Sequence, residues 1–142
     1  MMKSIRWLTT VAGIAATLML LGSVASAAPF TDQTSIKLHA SETRVDPGTK
    51  VKFTGKLKAD HAFCRNDQKV VLRTYGESNG QSYPGGVVDK TKTDQGGHYT
   101  FKVVINEQIR FRVWYGGRVG GTHPDIKVCE KSRSKTVTID VT

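Results

Sequence analysis

Signatures of metal binding and catalysis are scarce in this sequence. It contains two cysteines, Cys64 and Cys129, and four histidines, His39, His61, His98 and His123. His61-x-x-Cys64 could begin a zinc site, but no second pair of ligands follows at a metal-ligand spacing. No nucleophile elbow, phosphate-binding loop or pair of catalytic carboxylates stands out. We therefore expect a non-enzymatic protein with no catalytic residue, no metal site and no cofactor.

Long apolar runs are absent after the first 27 residues. Within residues 1–27, Lys3 and Arg6 precede an apolar segment from Leu8 to Leu21, and Ala25-Ser26-Ala27 forms a small-x-small cleavage signal. The alternative is an uncleaved membrane anchor, for which the apolar segment is short. We expect a signal peptide cleaved before Ala28, and a secreted, extracellular domain of residues 28–142 with no transmembrane anchor after processing.

Acidic residues are outnumbered, with 12 Asp and Glu against 21 Lys and Arg, which gives a formal net charge of +9. The predicted leader holds two of the basic residues, so the exported part keeps most of this charge. A basic balance favours polyanionic neighbours such as an acidic cell-envelope polymer, an anionic glycan, lipid headgroups or nucleic acid. The alternative is an ordinary secreted domain with a solubilising surface. Nothing in the sequence indicates specific nucleic-acid binding.

Both cysteines lie in the exported part, which predicts one Cys64–Cys129 disulfide. The alternative is two free thiols. In the chain-entropy model, a bond that closes a loop of this length stabilises the fold by roughly 4 kcal/mol.

Helical periodicity is also absent outside the leader, and two-residue alternation takes its place. From Lys50 to Leu57, for example, apolar residues alternate with lysine and threonine, which predicts one buried and one exposed face. A hairpin from Thr93 to Tyr115 forms the centre of the pattern. The predicted strands are Ser35–Ala40, Lys50–Leu57, Lys69–Tyr75, Val87–Lys92, His98–Ile105, Arg110–Tyr115 and Ser134–Val141. The predicted connections are a polar arm (Ala28–Thr34) and loops at Lys58–Gln68, Gly76–Gly86 and Gly116–Arg133. The prediction is an all-β fold, a single immunoglobulin-like antiparallel β-sandwich of about seven strands with one disulfide.

Five loose motifs occur in a characteristic order along residues 28–142. They are Val45-x-Pro47-Gly48-x-x-Val51-x-Phe53-x-Gly55-x-Leu57, Val70-x-Leu72, Thr93-Asp94-x-x-Gly97-x-Tyr99-x-Phe101-x-Val103, Phe111-Arg112-Val113-x-Tyr115-x-Gly117 and Val137-Thr138-Ile139-x-Val141. This order resembles the immunoglobulin-like modules of secreted and surface-exposed bacterial proteins, particularly those of actinobacteria. The resemblance implies an extracellular sandwich without catalysis, used as a spacer, stalk, adhesive or glycan-associated unit. It assigns no functional residue.

Two candidate surfaces follow from the predicted strands. The first is the end of the sandwich where the disulfide links two loops, with the basic residues Arg65, Arg118, Lys127 and Lys131. The bond there either stabilises the fold or preorganises a loop surface for binding. The second is the outer face of the sheet that holds the sixth strand, with Arg73, Tyr75, Arg110, Arg112 and Trp114. Its aromatic rings can stack on sugars and its arginines can bind carboxylate, sulfate or phosphate, or the arginine stems simply cover Trp114.

The outer face of the other sheet is a third basic surface. It carries Lys37, Lys50, Lys52, Lys56, Lys102, His39 and His98. This face is either simply solvated or a salt-sensitive polyanion footprint.

These observations favour a secreted binding or adhesion module that recognises an anionic cell-envelope or host glycan, or a protein partner. One alternative is a structural subunit or spacer that assembles through its sheet edges. Another is a secreted inhibitor or an unrecognised enzyme.

Overall fold

The structure, a computed structural model, describes residues 28–78 and 81–142, without the side chains of residues 77, 78 and 81–84. The predicted leader, residues 1–27, lies outside the described residues. In the described part, the chain forms twelve strands and one short helix: β1 (Phe30–Asp32), β2 (Ser35–Ala40), β3 (Arg44–Val45), β4 (Thr49–Lys58), α1 (Ala62–Arg65), β5 (Lys69–Ser78), β6 (Gln81–Lys92), β7 (His98–Ile105), β8 (Ile109–Tyr115), β9 (Arg118–Gly120), β10 (Lys127–Cys129), β11 (Ser132–Arg133) and β12 (Val137–Val141).

Two sheets form the sandwich. One has the strand order β2-β4-β7, and the other has the order β3-β12-β8-β5-β6, with β11 pairing to β8. The pairs are antiparallel except for the short parallel pair of β3 and β12. The predicted all-β sandwich with one disulfide is confirmed, with twelve strands rather than about seven.

The core lies between these two sheets and follows the predicted alternation. Phe53 of β4 and Phe111 of β8 pack across it with ring centroids 4.8 Å apart. Burying one large apolar side chain of this kind stabilises a fold by about 1.5–3 kcal/mol. The fully buried positions include Val51, Phe53, Leu57, Val70, Leu72, Ile105, Phe111, Val113 and Ile139.

Tyr99 of β7 reaches across the central strand β4 of the three-stranded sheet to the far strand, β2. Its ring lies over Gly55 of β4, and its hydroxyl donates a hydrogen bond to the carbonyl oxygen of Lys37 in β2. A Cβ atom on Gly55 would collide with both of those groups, so this position requires glycine. Burial raises the pKa of the Tyr99 phenol.

A third, smaller sheet joins the N-terminal part of the described chain to the disulfide. Its order is β1-β10-β9, with β1 parallel to β10. Cys129 ends β10 and is bonded to Cys64 of α1 with 5.4 Å between the Cα atoms. Both cysteines are buried. The prediction that both lie in loops is therefore wrong, since one is helical and the other is in a strand.

Three segments predicted as an arm or loops contain strands. The arm Ala28–Thr34 contains β1, the loop Gly116–Arg133 contains β9, β10 and β11, and the loop Gly76–Gly86 is occupied by the ends of β5 and β6. These strands are held by backbone hydrogen bonds to a partner strand, which polar and glycine-rich segments can also form. The predicted strand Val87–Lys92 is the second half of β6, which ends its sheet at one edge.

Gln68 anchors the segment after α1 to the core. Its side-chain amide donates to the carbonyl oxygens of Phe63 and Asn66, at 3.0 and 2.7 Å. Its Oε1 accepts a 2.7 Å hydrogen bond from the Tyr115 hydroxyl of β8. Burial raises the pKa of the Tyr115 phenol, and the positive charge of Arg118 opposes that shift. In the described residues, no helix is long and apolar enough to cross a membrane.

Candidate binding face

The outer side of β5 and β8 carries a group of residues that we call the Arg–aromatic face: Arg73, Tyr75, Arg110, Arg112 and Trp114. The two strands are antiparallel neighbours, with Arg73 opposite Arg112, Tyr75 opposite Arg110, and Val71 opposite Trp114. Alternation directs Val70 and Leu72 into the core, which leaves the odd-numbered side chains of β5 on the outside. The five predicted residues are thus brought together on one surface.

Arginine side chains lie over both aromatic rings of this face. The guanidinium carbon of Arg112 is 4.3 Å from the centroid of the Tyr75 ring, and that of Arg133 is 5.5 Å from the Trp114 ring. Contacts at these distances are cation–π interactions, worth about 0.5–1 kcal/mol at exposed sites and more when desolvated. Arg112, Tyr75 and Trp114 are half-buried, so each is partly covered by its neighbours on the face.

Arg133 was not among the residues predicted for this face. It lies on β11, which pairs with β8 and sets Arg133 directly opposite Trp114. The sequence prediction placed it at the end of a loop, because a two-residue strand has no alternation to detect.

Two hydrogen-bond donors of the face lack an acceptor. Nε of Arg112 and Nε1 of Trp114 are both covered and make no hydrogen bond within the described part of the protein. Leaving such a group without an acceptor costs about 1–3 kcal/mol. A ligand oxygen can satisfy these donors once the flexible arginine side chains around them shift.

A shallow depression lies at each end of the face. One is lined by Tyr75 and Arg110 together with Thr74, Glu107, Gln108 and Ile109. The other is lined by Trp114, Tyr115, Gly116, Lys131, Ser132 and Arg133. Lys131, which the sequence assigned to the disulfide end, therefore lies beside the Arg–aromatic face.

The other three basic residues predicted for the disulfide end take part in local packing. Arg118 and Lys127 lie over the Phe63 ring, at 4.1 and 5.3 Å from its centroid. Arg65 donates from Nη1 to the carbonyl oxygen of Ala59 at 3.1 Å. The charged groups of these three residues are already in contact with the protein itself. This end therefore presents fewer cationic groups for a ligand than the Arg–aromatic face does.

The same end contains an Asp–His pair that sequence reasoning missed. Asp32 is buried, and its carboxylate accepts from the backbone N–H of His61 and lies 2.7 Å from His61 Nδ1. The imidazole stacks on Phe30 with 3.7 Å between ring centroids. These residues are far apart in sequence and show no pattern; the pairing of β1 with β10 and the Cys64–Cys129 bond between β10 and α1 bring them together. The contacts attach β1 to the segment that leads into α1.

Among the described residues, no three His, Cys, Asp or Glu side chains are grouped so that they could hold a metal ion.

The sequence matches no protein-family model and no curated protein. Among solved structures, one match is Spo0M, a sporulation control protein from Bacillus subtilis, with a TM-score of 0.40 and 10% sequence identity. The alignment covers 76% of this chain and 49% of the Spo0M chain, so this chain spans about half the length of that protein. At this TM-score the similarity supports no inference about fold or function.

Proposed function

We propose that this protein is a secreted, non-enzymatic binding domain that recognises anionic glycans through the Arg–aromatic face. The observation that carries the proposal is the stacked arrangement of Arg112 on Tyr75 and Arg133 on Trp114, with two N–H donors left without acceptors. This arrangement supplies both of the groups that a charged sugar needs.

The arginines provide the anion-binding part. A guanidinium presents its N–H groups in a planar fork that matches carboxylate, sulfate and phosphate oxygens. Arg73 and Arg112 are directly opposite on neighbouring strands, and like charges in that position repel each other. An anion bound between them relieves that repulsion.

The aromatic rings provide the sugar-binding part. Tyr75 and Trp114 present large, rigid surfaces with little conformational entropy to lose on binding. Arg112 and Arg133 lie over these rings, so a sugar stacks on a ring once the guanidinium group above it moves aside.

Trp114 is a direct reporter for the test, since the other tryptophan of the chain, Trp7, lies in the predicted leader. The experiment uses protein collected after export, with its intact mass measured to establish that the leader has been removed. Titration with a heparin octasaccharide should change the Trp114 emission in a saturable way, whereas a neutral dextran of similar size should not.

Matched variants separate recognition from general charge. Arg112→Gln should weaken octasaccharide binding roughly tenfold or more, because a hydrogen bond to a charged group is lost. Arg112→Lys should also weaken it, since the charge remains but the planar fork is lost. Arg44→Gln removes the same charge at an exposed position of β3 and should change the affinity less than about twofold. Equal losses in Arg112→Gln and Arg44→Gln, or binding without a Trp114 response, would contradict the proposal.

A second candidate function, assembly through a sheet edge, is supported by one observation. β6 ends its sheet, no strand pairs with its outer edge in the described residues, and Val87 and Val88 are 48% and 37% exposed. An open edge with apolar side chains can pair with another strand. Light scattering that shows oligomers at micromolar concentration, lost in Val88→Pro, would favour assembly. A monomer at all concentrations would count against it.

A further inference from the structure

The outer side of the three-stranded sheet carries a second basic surface, the lysine face: Lys37, Lys50, Lys52, Lys56, Lys58 and Lys102, with His39 and His98. Strand register brings like charges together on it. Lys52 of β4 is directly opposite Lys102 of β7, and Lys56 is opposite Lys37 on one side and His98 on the other. Lys58 belongs to this row because β4 continues one residue beyond the predicted strand.

No carboxylate balances these charges within the face. The remaining outward residues of β2, β4 and β7 are Ser35, Thr54, Thr100 and Val104. In the described residues, none of the six lysines forms an ion pair. Because like charges directly opposite destabilise a sheet, the face lowers its free energy when a polyanion replaces the small counterions around it.

The geometry of the face fits a linear polymer. Residues on one side of a strand repeat at roughly 6.8 Å, so the four lysines of β4 form a row roughly 27 Å long. Most of these lysines are exposed, and the face carries no tyrosine or tryptophan, in contrast to the half-buried Arg–aromatic face. An ammonium group on a flexible stem attracts charge without the planar recognition of arginine. Binding to the lysine face should therefore depend on the density of negative charge along a polymer chain rather than on the shape of one sugar.

The two basic faces cannot share one short ligand. They lie on the outer sides of opposite sheets, and the backbones of packed sheets are separated by about 10 Å, with side chains extending beyond. At physiological ionic strength the Debye length is about 8 Å, so the two faces act as separate electrostatic sites. A polyanion on one face leaves the other face available.

We propose that the lysine face binds a second anionic glycan chain, so that one domain bridges two polymer chains. The bridging part rests on the proposed function of the Arg–aromatic face, whereas the lysine site itself rests on the strand register alone. Electrostatic contacts of this type weaken steeply as salt rises.

Stoichiometry tests the proposal directly. Native mass spectrometry and calorimetry with heparin octasaccharide should give two bound ligands for each wild-type domain. Lys52→Gln/Lys102→Gln should bind one and should keep the Trp114 emission change. The double variant Arg44→Gln/Lys92→Gln removes the same charge from β3 and β6, which belong to the other sheet and lie outside β5 and β8, and it should still bind two. Circular dichroism and thermal melting of each variant establish that it is folded.

Turbidity with full-length heparin tests bridging. Wild-type protein should give a maximum at an intermediate ratio of protein to polymer, and both Lys52→Gln/Lys102→Gln and Arg112→Gln should reduce it. A stoichiometry of one together with a normal Trp114 response would overturn this inference and leave the proposed function standing. Loss of binding only in the lysine variant, with no Trp114 response, would overturn bridging and the proposed function but support the lysine site.

Vesicles of phosphatidylglycerol and phosphatidylcholine distinguish a lipid surface from a glycan. Lysine-dependent vesicle binding without octasaccharide binding would assign the face to a membrane surface and overturn the inference.

Discussion

Tyr115 of β8 donates its phenolic hydrogen to Oε1 of Gln68 across 2.7 Å, in a part of the core where neither side chain reaches solvent. Gln68 uses its amide hydrogens on the carbonyl oxygens of Phe63 and Asn66. One glutamine thus connects β8 to α1, the helix that carries Cys64. The position of the disulfide depends on this polar contact as well as on apolar packing.

Tyr115→Phe tests that connection. The change leaves Gln68 Oε1 buried without a donor, so the free energy of unfolding should fall by about 1–3 kcal/mol. Tyr75→Phe is a matched control, since the Tyr75 hydroxyl makes no hydrogen bond in the described residues and should cost less than about 0.5 kcal/mol. Urea denaturation of both variants measures the difference. Equal losses would show that the Gln68 contact adds nothing specific.

Gly55→Ala should destabilise the three-stranded sheet. A methyl group there collides with the Tyr99 ring and with the backbone of Lys37, and such overpacking costs about 1–3 kcal/mol. Gly116→Ala provides the control, because a Cβ atom at Gly116 has no neighbour within 4 Å. Thermal melting should show a lower Tm for the first variant and an equal or higher Tm for the second. A Gly55→Ala protein as stable as the wild type would contradict the described packing of Tyr99.

Alkaline pH should weaken the fold through its buried phenols. Burial raises the pKa of Tyr99 and of Tyr115 above that of an exposed tyrosine, which is about 10. Above that pH the unfolded chain releases phenolic protons that the folded chain retains. The folded state then binds more protons, so the free energy of unfolding falls as pH rises, by at most about 1.4 kcal/mol per pH unit for each tyrosine. The stabilising effect of the protonated phenols is fully present below about pH 10.

Urea denaturation at about pH 8 and about pH 11 measures this loss. Tyr99→Phe should be less stable than the wild type at the lower pH, because the hydrogen bond to Lys37 is gone, but should lose less stability between the two. An unchanged loss in Tyr99→Phe would mean that the phenol is not protected by burial.

The disulfide should contribute roughly 4 kcal/mol to stability, because it closes a loop with a sequence separation of 65 residues. Cys64→Ala/Cys129→Ala should unfold at a correspondingly lower urea concentration. Both cysteines are buried, so the bond in the native protein should resist dithiothreitol until denaturant is added. Intact mass before and after reduction reports the two-dalton change. Rapid reduction of the native protein would contradict the burial of the bond.

The long strands can be predicted from the sequence because one face of each is buried, which makes apolar and polar residues alternate along the strand. Val51, Phe53 and Leu57 alternate with lysines, and a shift of one residue would place those lysines in the core. The same alternation identifies Arg112 and Trp114 as outward-facing. In the long strands, the alternation within the strand itself is enough to predict whether a residue faces the core or the solvent.

The short strands could not be predicted in this way. β1, β9, β10 and β11 have two or three residues each, and their pairing depends on partners far away in the sequence. The contacts of Arg133 with Trp114 and of Asp32 with His61 depend on that pairing. Local alternation therefore identifies the arginines and aromatic residues of β5 and β8, but it does not identify Arg133, the cation that lies over Trp114.

The pairing of β1 with β10 and of β3 with β12 has a kinetic consequence. Phe30–Asp32 pairs with Lys127–Cys129, and Arg44–Val45 pairs with Asp140–Val141, so both contacts join strands separated by almost the full described length. Contacts of such high sequence separation slow folding, because a long segment must be ordered before they form. A chain that emerges gradually from a ribosome or a translocation channel cannot complete either pair until its last strands are free. β1 and β3 therefore remain without their partner strands until that point, whereas β2 and β4 can already pair with each other.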